Sequence, residues 1–180
     1  MTVSLPRIDS GTSYQAKRVV VETGLLALGV AYELLSKHSA EMKQEIADWQ
    51  EGQTFSLGVL PRGPIATVRK QHGRLVYLGR GDHQAPLAIW IKNIDSAALL
   101  LTGMCSPHMA FAERRVIVHG PVDQSMQMYR TMLIVEKFLF PKILLERITK
   151  RLPEFTRQDL LLKARLYASL APLLLARSRR

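Results

Sequence analysis

Apolar residues follow a helical spacing at the two ends of the chain and a strand-like spacing in its middle. From Tyr14 to Lys37 they recur at intervals of three and four, which predicts one helix that buries a single face. Ser39 is a helix-capping residue, and the apolar positions that follow it predict a second short helix with Trp49 as a core anchor and Gly52 beyond its end.

Between Thr54 and Lys92 the pattern changes to short, strand-like segments separated by Gly, Pro or polar turns. His72 and Gly73 sit between two of these segments and predict a tight hairpin. The predicted strands are Phe55–Val59, Ile65–Arg69, Leu75–Leu78 and Leu87–Ile91, with a fifth at Val116–Val118.

Helical spacing returns in three stretches, Val122–Phe140, Pro141–Lys150 and Thr156–Arg177. Thr156 and Asp159 have the spacing of a capping box at the start of the last stretch. The order predicts an α+β fold: a single, mostly antiparallel sheet of about five strands, arranged as a meander and covered on one face by helices, with extra N- and C-terminal helices.

Chain length, net charge and cysteine count limit the functions and partners that the protein can have. A chain of 180 residues can bury one sizeable core, and its formal charge of +10 indicates an anionic partner such as lipid headgroups or nucleic acid. Cys105 is the single cysteine, which excludes an internal disulfide and a cysteine-based metal cluster and favours a reducing cytoplasm. We expect no secretion signal or membrane span, because Glu22 and Glu33 interrupt the apolar run that begins at Val19.

The stretch after Pro86 has a recognisable order of elements. The strand Leu87–Ile91 precedes a Leu/Ala helix that ends at Gly103, and the small helix with Phe111, the basic strand Arg114–Val118 and Gly120 follow. This order resembles the lipid-binding domain of the type-two sterol carrier proteins. The resemblance implies a curved five-stranded sheet, a hydrophobic tunnel beneath its helices and no catalysis. It divides the chain into a lead-in and helix at 1–39, the carrier-like domain at 40–140 and a basic helical extension at 141–180.

Two interpretations fit the apolar residues of this region. Methionines at three positions of the helix Val122–Phe140 suit a cavity whose occupant varies, yet the same stripe could simply pack on the sheet. On the first interpretation, the ligand-binding residues are Ile89, Ile91, Leu99, Leu100, Met104, Phe111, Met126, Tyr129, Met132 and Leu133.

Catalytic and metal sites are not predicted. Asp82 and His83 are neighbours in a Gly-rich turn and favour a solvated pair over an acid–base dyad, and His108 and His119 have no third ligand at a matching spacing. We therefore predict no enzyme, no metal and no cofactor.

The C-terminal segment carries most of the charge. From Lys137 to Arg180, eleven basic and three acidic residues give +8 of the total +10. Basic amphipathic helices of this kind can lie on anionic bilayers, and the alternative is a helix packed on its own domain or on a second copy with a solvated basic face. The residues predicted to face a membrane are Lys150, Arg151, Lys163, Arg165 and Arg177. Nucleic acid is disfavoured because no stacking platform or DNA-binding motif accompanies the charge.

The leading hypothesis is a cytoplasmic protein, peripheral at the membrane, that binds a lipid, isoprenoid or fatty-acyl molecule in an internal hydrophobic tunnel and exchanges it with membranes. The alternative is a non-catalytic accessory factor that presents a lipophilic intermediate, such as a quinone precursor, to membrane-associated enzymes. A lipid-modifying enzyme is the third class. The sequence does not determine the ligand, the oligomeric state or any protein partner.

Overall fold

The computed structural model describes residues 10–79, 85–148 and 155–178, which form seven helices and five strands. In chain order these elements are α1 (Ser10–His38), α2 (Ala40–Glu45), β1 (Thr54–Val59), β2 (Ile65–Gln71), β3 (Arg74–Tyr77), β4 (Leu87–Ile91), α3 (Ile94–Leu101), α4 (Pro107–Ala112), β5 (Val116–His119), α5 (Val122–Leu139), α6 (Lys142–Ile148) and α7 (Arg157–Ser178). The predicted α+β class and the five strands are confirmed.

The five strands form one mixed sheet in the order β3-β2-β1-β4-β5. Three neighbouring pairs are antiparallel, as expected, but β1 and β4 are parallel, with Phe55 opposite Leu87 and Val59 opposite Ile91. The prediction of a meander was therefore wrong. It assumed that consecutive strands pair, whereas the chain leaves β3 at one edge and crosses over to add β4 on the far side of β1.

The central strand β1 is buried at all six positions. Phe55 packs edge-on against Tyr32 of α1 and against Trp49, with ring centroids 5.2 and 5.9 Å apart, so Trp49 is the core anchor that the sequence predicts. Ser56 follows Phe55 on β1, so its side chain lies on the opposite face of the sheet. There its hydroxyl and that of Thr67 share a buried hydrogen bond of 2.9 Å. Both faces of the sheet centre are thus excluded from water.

Local signals in the sequence place the turns and caps correctly. Ser39 accepts a hydrogen bond from the Met42 amide at 3.3 Å, and Thr156 and Asp159 form the reciprocal capping box at 3.0 and 3.1 Å. His72 and Gly73 take positive φ values of 52° and 71° in the β2–β3 hairpin.

One core cluster draws residues from all three predicted segments of the chain, for example Leu25 of α1, Phe55 of β1 and Leu166 of α7. The division at 1–39, 40–140 and 141–180 stays a prediction. In the structure, α1 is a main component of the core, since Val21, Ala31 and Leu35 are completely buried.

Helix α1 is also long and apolar enough to span a membrane when judged by length and composition alone. The most apolar 18-residue window of its segment Ser13–His38 has a mean hydropathy of 1.6, and 44% of that window is buried inside the protein. Core helices of globular proteins satisfy the same test. The packing of α1 against the sheet, α3 and α5 accounts for its apolar face.

Candidate functional site: an apolar cavity

A cavity of about 1070 Å³ lies between the sheet and the helices. Its walls come from α1, α3, α4, α5 and α7 and from strands β1, β4 and β5. Ligand pockets in proteins have volumes of roughly 300–1,000 Å³. The cavity is therefore large enough for a sizeable apolar molecule.

The strand register supplies one wall. Ile89 of β4 lies opposite Leu57 of β1 and Val118 of β5, and Ile91 lies opposite Val116. All five side chains line the cavity. Because alternate residues of a strand share a face, this register brings a continuous patch of branched apolar side chains to one side of three adjacent strands.

Helix α5 supplies the facing wall. Met126, Tyr129, Met132, Glu136 and Leu139 line the cavity at steps of three and four residues, which places them on one face of the helix. The expected methionine stripe is therefore partly a cavity wall, whereas Met128 is fully buried in the core and lies outside the lining.

The structure brings together most of the residues predicted to bind ligand. Those on the wall are Ile89, Ile91, Leu100, Phe111, Met126, Tyr129 and Met132. Their role in binding stays a prediction.

Leu99, Met104 and Leu133 lie off the cavity wall, which corrects their predicted position. Leu133 follows Met132 by one residue, about 100° around the helix, and is exposed on the outer side of α5. Leu99 lies beside a smaller surface groove with Val20, and Met104 is exposed after the end of α3.

Several lining residues have no counterpart in the sequence-based prediction. α1 contributes Gly24, Ala27 and Leu28, and α7 contributes Tyr167 and Leu170. These residues are far apart in sequence, so only the tertiary fold identifies them. The alternation of Val116 and Val118 was a local signal that could have found the contribution of β5.

Part of the wall is open to solvent. Val122, Met126 and Phe111 line the cavity and are 78%, 52% and 44% exposed. Val122 and Met126 belong to the first turns of α5, and Phe111 belongs to the adjacent α4. An apolar mouth therefore lies at this end of the cavity.

The polar side chains on the wall are His108, Ser125, Tyr129, Glu136 and Tyr167. The Tyr129 hydroxyl lies 2.6 Å from Nε2 of His108. Ser125 donates to the Pro121 carbonyl and Tyr167 to the Leu139 carbonyl, each at 2.8 Å. Four of the five polar groups thus have a protein partner.

Glu136 is the exception. Among the described residues no hydrogen-bond donor or cation is paired with its carboxyl group. Its neighbour Lys137 instead forms ion pairs with Glu41 and Asp159 at 3.3 and 3.4 Å. Burial raises the pKa of Glu136 to about 8, so that this carboxyl is mainly protonated at neutral pH.

The residues predicted to face a membrane occupy different environments. Lys163 donates to the Lys137 and Phe140 carbonyls at 3.1 and 2.6 Å and lies over the Phe155 ring, so its ammonium points toward the protein rather than outward. The prediction treated every cation of the helix as a surface charge. Arg165 is exposed, whereas Lys150, Arg151 and the Arg177 side chain lie outside the described part of the structure.

The candidate catalytic groups do not assemble within the described ranges. Asp82 and His83 lie outside them, and His108 is paired with Tyr129 rather than with His119. No group of three or more potential metal ligands is found among the residues that the structure describes. Cys105 is partly buried, and this burial raises the pKa of its thiol.

Comparison with known proteins gives structural likeness only. No protein-family model matches the chain, and no significant match was found among curated proteins. A ubiquinone synthesis protein, UbiJ-SCP2, superposes with a TM-score of 0.44 at 13% identity, over 62% of this chain and 96% of its own. A conserved hypothetical protein from Thermus thermophilus, named as a candidate sterol carrier protein, gives 0.43 at 16% identity, over 62% and 82%.

Proposed function

We propose that this protein is a non-catalytic carrier that binds a lipophilic molecule in the cavity and exchanges it with membranes. The observation that supports the proposal is a large cavity whose wall is almost entirely apolar. Burial of an alkyl or isoprenoid chain there would be favourable by about 0.8 kcal/mol for each CH₂ group removed from water.

The exposed mouth supports exchange rather than permanent storage. Val122, Met126 and Phe111 would meet the apolar tail of a ligand before it reaches the interior. Helix α7 contributes Tyr167 and Leu170 to the cavity wall. We assign α7 the role of a lid that moves to release the ligand.

An accessory factor that presents a lipophilic intermediate, such as a quinone precursor, to membrane enzymes would use the same cavity. The chemistry of the natural ligand separates the two functions. A carrier of bulk lipid would contain a mixture of membrane lipids, whereas an accessory factor would contain one biosynthetic intermediate.

The test is native mass spectrometry of the purified protein, followed by organic extraction and identification of the released molecule. We expect a stoichiometric lipophilic ligand, and rebinding of the neutral apolar dye Nile red after extraction. A protein that is empty and also excludes Nile red would contradict the proposal.

Two adjacent substitutions provide a matched pair for this experiment. Met132→Trp places an indole inside the cavity, whereas Leu133→Trp places it on the outer side of the same helix. We expect the first variant to lose the ligand and the second to retain it. Equal retention by two folded variants would show that the ligand lies elsewhere.

A further inference from the structure

The cavity wall carries one polar group that the protein itself leaves unused. His108, Ser125, Tyr129 and Tyr167 are each hydrogen-bonded within the chain, but the Glu136 carboxyl has no partner among the described residues. Glu136 is half-buried and lines the cavity, so its carboxyl is available to a molecule that enters. A polar group shielded from bulk water without a partner costs free energy and is normally satisfied by protein, water or ligand.

The basic residues of α5 near Glu136 are paired with other carboxylates. Lys137 is engaged with Glu41 and Asp159, and Arg130, earlier on the same helix, is paired with Glu45 at 2.5 Å. No Lys or Arg belongs to the cavity wall in the described part of the chain. A ligand anion that reached Glu136 would find an acidic group and no cation to compensate its charge.

We infer that Glu136 binds the polar end of the ligand, and that this end is an uncharged oxygen group, a carbonyl or a hydroxyl, rather than a carboxylate or phosphate. This inference rests on the proposed function and makes Glu136 a specificity-determining residue. A carboxylic acid can donate one hydrogen bond through its O–H and accept another through its carbonyl oxygen.

The position of Glu136 fits this role. It lies three turns beyond Met126, the exposed residue at the mouth, and a rise of 1.5 Å per residue places the two about 15 Å apart along α5. Met132 lies between them on α5, and Ile89 and Val118 line the same cavity from the sheet. A ligand oriented with its oxygen inward would therefore contact apolar side chains along its length.

The test uses two probes that differ only at the head. Heptadecan-2-one carries a methyl group where hexadecanoate carries a charged oxygen, so their chain lengths and shapes are matched. Each probe displaces Nile red from the extracted full-length protein at pH 7. We expect the ketone to compete at a concentration at least about tenfold lower than hexadecanoate, because burying an uncompensated anion costs more than about 1.4 kcal/mol.

Two variants assign the preference to Glu136. Glu136→Leu removes both hydrogen-bonding functions, and each displacement is corrected for the variant's own affinity for Nile red. We expect the ketone to bind about fivefold more weakly, relative to the hydrocarbon heptadecane, than it does to the wild type. Glu136→Gln keeps a donor and an acceptor without a charge and should preserve ketone binding within about twofold.

The outcomes separate this inference from the proposed function. If Nile red binds but hexadecanoate competes as well as the ketone, or if Glu136→Leu leaves ketone binding unchanged, the inference is wrong and the cavity still binds apolar molecules. If none of the probes binds the wild-type protein, the proposed function itself fails.

Discussion

Polar side chains in an apolar interior depend on their partners, and Glu136 and Lys70 of this protein differ in that respect. The buried Lys70 ammonium donates to three carbonyl groups at the end of α2, those of Ile46, Ala47 and Trp49, at 2.8, 3.2 and 2.6 Å. These bonds compensate its burial and stabilise the turn that follows the helix. Glu136 has no such compensation within the described residues, and its protonation equilibrium therefore depends on folding.

The pH dependence of stability should report this difference. Burial raises the pKa of Glu136 from 4.5 to about 8, so the folded chain keeps a proton that the unfolded chain releases. Between roughly pH 4.5 and pH 8 the free energy of unfolding of the wild type should fall, relative to that of Glu136→Gln, by up to about 1.4 kcal/mol per pH unit. Below this range the two proteins should be nearly equal, and above it the difference should be constant.

Chemical denaturation of the ligand-free proteins at several pH values measures this difference. The titratable groups that face Glu136 are Tyr32 on α1 and Tyr129 on α5, with His108 and Tyr167 on the same cavity wall. Burial raises the pKa of each of the three tyrosines, so they stay neutral in this range. Asp48→Asn on the exposed surface serves as control, and parallel curves for all three proteins would contradict the burial of Glu136.

The position of Glu136 on the cavity wall could be predicted in part from the sequence. Glu136 follows Tyr129 by seven residues and Met132 by four, so the helical pattern already places it on their face. An apolar pattern search passes over an acidic residue, and only the packing of α7 and α1 shows that this face is enclosed. The environment of Lys163 could not be predicted for the same reason. Its ammonium points toward the protein because the end of α5 lies beside α7.

At the scale of elements, sequence patterns located individual helices and strands more reliably than they identified which elements pack or pair with each other. The predicted β4, Leu87–Ile91, matches the observed strand at both ends, and α5 differs by one residue at its end. Neither pattern shows that β4 pairs in parallel with β1, because that pairing is set by the packing of elements far apart in the chain. The sequence did predict that α1 buries one face, but it did not show which elements that face would pack against.

Contacts between α5 and α7 govern the proposed lid. Lys163 donates to the Lys137 and Phe140 carbonyls, and Tyr167 donates to the Leu139 carbonyl, so two side chains of α7 satisfy the last turn of α5. Lys163→Met and Tyr167→Phe together remove these hydrogen bonds. The double variant should lower the free energy needed to detach α7 from α5 by about 1–3 kcal/mol. We expect faster hydrogen exchange in α7 and faster dissociation of bound Nile red.

Arg165→Met is the matched control for this experiment. It also replaces a cation of α7 by Met, but Arg165 is exposed and makes no hydrogen bond to α5 in the described structure. Its dissociation rate should equal that of the wild type. A double variant that releases Nile red no faster than the Arg165→Met protein would show that α7 is a fixed wall rather than a lid.

At the scale of the whole molecule, charge and exposed apolar surface favour contact with an anionic bilayer. The formal charge of +10 attracts anionic headgroups, each basic residue near such a surface contributing about 1 kcal/mol, and the mouth of the cavity presents Phe111, Val122 and Met126 to solvent. If the protein exchanges its ligand with membranes as proposed, the first property would bring it to the surface, and the second would let a ligand tail pass between the bilayer and the cavity without crossing water.

Transfer of a pyrene-labelled neutral lipid between vesicles tests these two properties together. Because attraction between exposed charges is screened by salt, we expect transfer to accelerate as anionic lipid is added to the acceptor vesicles and to slow between about 0.05 and 0.5 M NaCl. Met132→Trp should bind the same vesicles but transfer little, since its cavity is filled, whereas Leu133→Trp should transfer normally. If transfer by the wild type is independent of both lipid charge and salt, the basic surface has another role, and exchange proceeds through the aqueous phase or through apolar contact alone.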